Sequence, residues 1–313
     1  MRSREAEFER KLAQTGLRQL PDLLQALPDE TARLARLCYA ASPVSDWLDT
    51  PPEVFFSCAA HARYLRENVS WTRALPEPLF LAYVLHPRVN NEALCDCRPV
   101  FYAALAGRLR GLPEEAAVLE INRWCAEHVV YQPTDGRTRS ALAVLRAGFG
   151  RCGEESMFAV NVLRACGFAA RQVYVPRWAH CDDNHAWVEV RCGGAWHFLG
   201  ACEPEAVLDR GWFNSAAGRA VLVHSRCFGE PEPGADLIGR EGDVVYCNET
   251  ARYADVRRLT VRVTDENGMS AAGADVDFCI LNNCEWYPAA TVQTDASGMA
   301  ALTCGLGSLR LLA

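Results

Sequence analysis

Through the first 110 positions apolar residues recur at three- and four-residue spacings, as in "FERKLAQTGLRQLPDLLQAL" (8–27) and "PEPLFLAYVLHP" (76–87). That period predicts amphipathic helices, and prolines at 21, 28, 43, 51, 52, 76, 78 and 87 cut them into short pieces. A longer helix is predicted within "LPEEAAVLEINRWCAEHVVY" (112–131), where Pro113 and two glutamates suit a helix start. Val118, Ile121 and Cys125 share one of its faces with His128, which reads as a helix-end histidine. "CGEESMFAVNVLRACG" (152–167) puts Met157, Val160 and Leu163 on a stripe and Gly167 at the helix end. The period then shortens to two. "FAARQVYVP", "NHAWVEVRC" and "AWHFLGAC" read as strands, the last two joined by a Gly193-Gly194 hairpin. "GEPEPGADLIGREGD" (229–243) reads as a linker, rich in Gly, Pro and acid. From 256 onward short β-runs separated by "DENG" and "DASG" predict a small β-sandwich module. The final "GLGSLRLLA" reads as the middle of a strand, so the chain is expected to continue beyond Ala313.

The expected organisation is a helical region over 1–110, an α+β core over 111–230, a linker over 231–255 and a β-sandwich module over 256–313. A separate linker and a self-contained β-pattern make the module dispensable for the chemistry. Half of the 313 residues are apolar and 23% are charged, enough to build a sizeable core. The net charge of −7 speaks against a nucleic-acid footprint. No apolar run reaches the roughly 20 residues of a membrane span, and the charged start "MRSREAEFERKLAQ" has no signal-peptide core. Fifteen cysteines are spread over the chain without a CxxC pair, the nearest spacing being Cys95–Cys97. They read as reduced thiols in a cytoplasm-like compartment, with export through a missing upstream segment left open.

Within "GFGRCGEES" Cys152 opens a helix among three glycines. A thiol at a helix N-terminus is favoured as thiolate by the dipole and the unpaired amides, so Cys152 is expected to be the most acidic thiol here. Gly150 and Gly153 allow a sharp turn and close approach of a substrate, and a backbone amide there suits an oxyanion. A base is supplied downstream in "NHAWVEV": on an alternating strand His185 shares a face with Trp187 and Glu189. Gln132 is the candidate side-chain oxyanion donor, while Trp124 reads as core. "HCDDNH" crowds His180, Cys181, Asp182 and His185 into six residues, a poor zinc spacing, so no metal or cofactor is expected.

The order Cys-helix, "LRACGFAARQV" strand, "HAWVEV", Gly-Gly hairpin and Trp-containing strand resembles the transglutaminase-like superfamily of papain-type thiol enzymes. The resemblance covers about residues 115–215, and the surrounding pattern, with "RWAHCDDNHAWVEV" and "WHFLGACEPE", looks like bacterial transglutaminase-domain proteins with a helical N-terminal region and a small β-module. It implies a papain-like α+β core with Cys152 as nucleophile and His185 as base, in a Cys–His–Asp triad that cleaves or transfers amides through a thioester. The implied substrate is a peptide or protein. Hydrolysis is favoured over cross-linking, because many chains resembling this core are hydrolases and no D-x-[DN]-x-[DN]-G calcium loop is present. A non-enzymatic binding protein on the same scaffold is the rival reading.

The third triad member departs from the family. In a two-residue hairpin Trp187 faces position 200, where the family's aspartate falls and this chain has glycine. A bulge at Gly200-Ala201 would place Glu203 opposite His185 as the orienting carboxylate. Asp182 and Asp183, just before His185, are the alternatives.

Overall fold

The computed structural model describes residues 4–313, so the first three residues of the helical region lie outside it. Its helices begin where the prolines stand. Pro28, Pro43, Pro51, Pro76 and Pro113 each occupy the position before a helix, with φ between −54° and −68°. Proline's locked φ and missing N–H cost nothing there. The helices Arg4–Thr15, Asp29–Ala41 and Pro52–Asn68 bury Phe8, Tyr39 and Phe55 around Trp47. "PEPLFLAYVLHP" forms one short α-turn, Glu77–Phe80, followed by a π-helical turn, Leu81–Leu85.

These helices do not form a separate body. Their apolar cluster includes Trp196, Cys227, Val245 and Cys247 from the central sheet. Lys11, fully buried, donates from Nζ to the Ala40 and Ser42 carbonyls and to Asp243 Oδ1 at 2.7 Å. A buried ammonium needs such partners, and here they tie the first helix to a sheet-edge turn.

The central sheet has six strands in the order Ala195–Leu199, His185–Cys192, Ala170–Val175, His224–Phe228, Val244–Asn248, Leu237–Glu241, every pair antiparallel. The Gly-Gly hairpin closes as expected. Cys192 faces Ala195, with Gly193 and Gly194 at φ +56° and +83°. Residues 237–248, expected within the linker, instead supply the last two strands of this sheet. Val244–Asn248 buries Val245 and Cys247 in alternation, whereas Leu237–Glu241 lies exposed at the sheet edge, and the acidic, Gly-rich composition belongs to that edge strand and its turn.

The Cys152–Ala165 helix packs on the sheet face that carries Val188 and Val190. It is buried all round from Glu154 to Ala165, because helices Arg98–Leu109 and Glu114–His128 cover the side away from the sheet. The expected stripe is therefore only part of its buried surface. The C-terminal module pairs Val256–Arg262 with Met299–Gly305, and Asp275–Asn282 with Glu285–Gln293 and Arg310–Leu312. Its core of Val276, Phe278, Ile280 and Leu302 extends onto Val221 and Leu222 of the central unit. Among the described residues no helix is long and apolar enough to cross a membrane.

Candidate active site

The helix start at Cys152 is built by its neighbours. Gly148, at φ +75°, ends the preceding helix Ala141–Ala147 in the left-handed conformation that glycine adopts without strain. Phe149–Gly150 then pairs in parallel with Val130–Tyr131 and delivers the chain to Arg151. Glu154, fully buried, accepts from the Arg151 N–H, from Arg139 Nε at 2.8 Å and from Thr134 Oγ1 at 2.7 Å. Burial works against its ionisation, but these donors hold it down to about 2. A Cβ at Gly150 would lie 2.9 Å from Glu154 Cβ, so glycine there is a packing requirement. At Gly153 a Cβ would meet nothing within 4 Å, so packing does not require glycine there.

Cys152 is half-buried. Burial raises its thiol above the ordinary range, opposed by hydrogen bonds from the Ala186 and Gly153 N–H groups, while the charges of Asp183 and Glu155 add to the rise. The helix terminus therefore does not make it the most acidic thiol. Cys95 is brought down to about 6, first by a hydrogen bond from Cys97 and then, against burial, by donors at the start of the Ala141–Ala147 helix. All fifteen cysteines are free.

His185 opens its strand one residue from the Ala186 N–H that reaches the Cys152 sulfur. Its ring is 8% exposed and sits 4.9 Å from Trp212, 5.1 Å from Phe213 and 5.8 Å from Trp187, centroid to centroid. Burial brings its pKa down to about 4, against the pull of Asp183, so the imidazole is neutral at neutral pH. Its Nε2 is buried without a hydrogen-bond partner.

Glu203 does not hydrogen-bond His185, and the expected bulge is absent. Strand pairing ends at Val188–Leu199, and the chain turns back on itself, with Glu203 N–H donating to Gly200 O at 3.3 Å and Cys202 at φ +58°. Buried Asn122 pins that turn, donating to Gly200 O and accepting from the Cys202 N–H. The Glu203 carboxylate accepts from Trp212 Nε1 at 3.0 and 3.1 Å, and the Trp212 ring lies against His185. Carboxylate and imidazole are thus joined through an indole, not directly. A Cβ at Gly200 would collide with Glu203 Oε2 and lie 3.0 Å from Glu203 Cβ. The Glu203 side chain therefore fills the space that a side chain at position 200 would take.

Glu155, one helical turn after Cys152, is 5% exposed. Burial, then the charges of Glu203 and Glu154, push its carboxyl up to about 8, so it keeps its proton at neutral pH beside Glu203. Asp182 accepts from the Asn283 N–H at 2.7 Å and Asp183 from the Asn184 N–H, so neither orients the ring by a hydrogen bond. Gln132 follows Tyr131 along the strand paired with the lead-in to Cys152. Its N–H donates to Gly150 O at 2.9 Å and its side chain is exposed. Trp124 is core, as expected. His180 and Cys181 join no group of three metal-ligating side chains among the described residues. Sequence reasoning missed Trp212, Asn122 and Glu155. Tryptophan in a loop, asparagine in a helix and glutamate in a first turn carry no signal of a site by themselves.

Residues 103–201 match the family model Transglut_core, the transglutaminase-like superfamily. A comparison with curated proteins finds no match. A solved structure described as "a Putative Cysteine Protease from Cytophaga hutchinsonii" is 16% identical with a TM-score of 0.33, over 59% of this chain and 68% of that one. Another, "a Putative Protease from Parabacteroides distasonis", is 15% identical with a TM-score of 0.32, over 54% of this chain. The chain spans 29% of that second protein's length.

Proposed function

We propose that this chain, a member of the transglutaminase-like superfamily through residues 103–201, is a cysteine-dependent amide hydrolase acting on peptides or proteins through a thioester. The observation that carries the reading is the meeting of helix start and strand start: the Cys152 sulfur accepts from the N–H of the residue next to His185. With the thiol raised by burial and the imidazole brought down to about 4, the free pair rests uncharged. His185 then acts as a general base during attack, as histidine does for a serine nucleophile.

Cys152 Sγ adds to the amide carbonyl, its proton passes to His185, and the carbonyl electron pair moves onto oxygen. The Gln132 amide and the helix-start N–H groups are the candidate donors to that oxyanion. Collapse breaks the C–N bond and His185 returns the proton to the departing amine, leaving a thioester. Water adds next, giving its proton to His185. The C–S bond breaks, the acid leaves and the thiol recovers its proton. Glu203, through Trp212, holds the position from which His185 acts, in place of the aspartate missing at 200. Water is favoured over a lysine amine because Arg151 and Arg226 line the cavity beside the thiol and repel an ammonium group.

The test is turnover of a peptide-amide library by the wild type and by Cys152→Ala and His185→Ala. Each variant is expected to lose about a thousandfold or more. In the presence of a labelled primary amine, hydrolysis is expected to exceed incorporation. Turnover that survives in Cys152→Ala removes the nucleophile, and incorporation above hydrolysis makes the protein a cross-linking enzyme.

A further inference from the structure

We propose that the cavity beside Cys152 is a carboxylate-binding subsite, so that substrates carry a carboxylate next to the scissile amide. This deepens the reading above and rests on Cys152 as the nucleophile. The cavity holds about 250 Å³ and opens onto Cys152. Arg151, Tyr174, Asn184, His224 and Arg226 line it, and no aspartate or glutamate does. Asp183, whose charge reaches the thiol, and Glu155 are not among its lining residues. In a chain with net charge −7, a wall of this sign beside the nucleophile is a local reversal.

Arg226 is half-buried on the His224–Phe228 strand, two residues from His224 and so on the same face. Its guanidinium is held by Asn90 Oδ1 and lies 5.7 Å from the Tyr246 ring centroid. Among the described residues no carboxylate stands within ion-pair distance of it. Arg151, at the helix start, reaches the Gly136 and Arg137 carbonyls and Thr138 Oγ1. Its one acidic neighbour, Glu154 at 3.5 Å, is shared with Arg139 at 2.8 Å. Two arginines thus divide one carboxylate, and Arg226 has none. A half-buried guanidinium without a counter-charge is costly, and a ligand carboxylate would supply the planar, two-oxygen partner that guanidinium matches.

His224 adds an independent sign. It is 8% exposed and its Nδ1 is buried without a partner. Leaving a buried polar atom unpaired costs about 1–3 kcal/mol, which a polar group entering the cavity would recover. Burial, aided by Arg226, brings its pKa down to about 3, so His224 meets a ligand as a neutral group and leaves the charge to the arginines. The Tyr174 ring, 5.4 Å from the His224 ring, closes that side of the cavity.

The carboxylate has two possible sources, an acidic side chain on the residue supplying the acyl group or a free chain terminus. Two arms of one experiment separate them. In the first, peptidyl acyloxymethyl ketones ending in glutamate or in glutamine alkylate the full chain, and Cys152 modification is followed by mass spectrometry. The glutamate probe is expected to react about tenfold faster or more. Arg226→Gln should bring the two rates within about twofold, and Arg226→Lys should keep most of the preference. In the second arm, N-acetyl dipeptides with free or amidated C-termini compete with the glutamine probe. Selective protection by the free acid assigns the subsite to a chain terminus. Equal rates for both probes together with equal protection by acid and amide overturn the subsite while leaving the nucleophile in place. Failure of every probe to modify Cys152 overturns the nucleophile reading, and the subsite with it. If Arg226→Gln fails to fold, the wild-type contrast decides.

Discussion

Cys152, which opens its own helix, and Cys95, a loop thiol set against the start of the Ala141–Ala147 helix, are treated differently. Both meet backbone N–H donors, but Cys152 is desolvated and sees the charge of Asp183, whereas Cys95 receives the Cys97 S–H and several further donors. A thiol needs those donors to outweigh burial before it ionises. Iodoacetamide at about pH 6.5, followed by peptide mapping, is therefore expected to modify Cys95 before Cys152. Faster reaction at Cys152 would mean that a charge pairing with His185 ionises it in the free protein. His185 and Glu203 carry a second residue-scale lesson. A histidine opening a strand after a glycine-set cysteine was legible from residue types and order, but the carboxylate's route to it was not. That route runs through Trp212, whose place depends on how the 200–213 segment folds back.

At the level of elements, the Ala195–Leu199 strand decides the site by where it stops. Had it continued in register, Gly200 would face Trp187 and Cys202 would face His185. The chain turns instead, and Glu203 folds over Gly200. Gly200→Ala is expected to push the Glu203 carboxylate off Trp212. Turnover should fall about tenfold or more, while stability changes by only ~1–2 kcal/mol, since the colliding atom ends a flexible side chain. Kinetics beside thermal unfolding check this, and unchanged kcat would remove Glu203 from the site. The expected bulge failed for a physical reason. A glycine near a strand end serves a turn as well as a bulge, and the Asn122 side chain that selects the turn comes from a helix about 80 residues earlier. The edge hairpin at 237–248 was missed similarly, since a composition of Gly and acid describes an exposed edge as well as a linker.

At the scale of the whole molecule, the C-terminal module is joined to the segment that leads into His185. Asn282, buried in the module, donates to the Trp178 carbonyl at 3.0 Å and the Cys181 carbonyl at 2.8 Å, and the Asn283 N–H donates to Asp182. Gly305 N–H donates to Val221 O at 2.9 Å, with backbone packing too close for any side chain. The module's independence, expected from its β-pattern, is therefore not matched by its contacts. Removing 256–313 is expected to abolish turnover and to expose Val221 and Leu222, lowering solubility. Asn282→Ala in the full chain should reduce kcat with the fold retained, by freeing the loop before His185. A truncated protein with wild-type turnover would restore the module to an accessory role.

What the sequence determined by itself was local. Periodicity placed the helices, prolines and Gly193-Gly194 placed their starts and the hairpin, and residue order pointed to the transglutaminase-like core with Cys152 and His185 as its candidate pair. The helices, their starts and the hairpin rest on neighbours within a few positions, where backbone sterics and side-chain period decide. Tertiary structure decided what depends on distant partners. Burial set the protonation of Cys152, His185, Glu155 and His224, because desolvation depends on everything packed around a group. It also brought Trp212 between Glu203 and His185, left Arg226 without an acid, and fastened Asn282 to the loop before the histidine. Those contacts join residues up to 136 positions apart, as with Asn90 and Arg226, and no local period encodes such a distance.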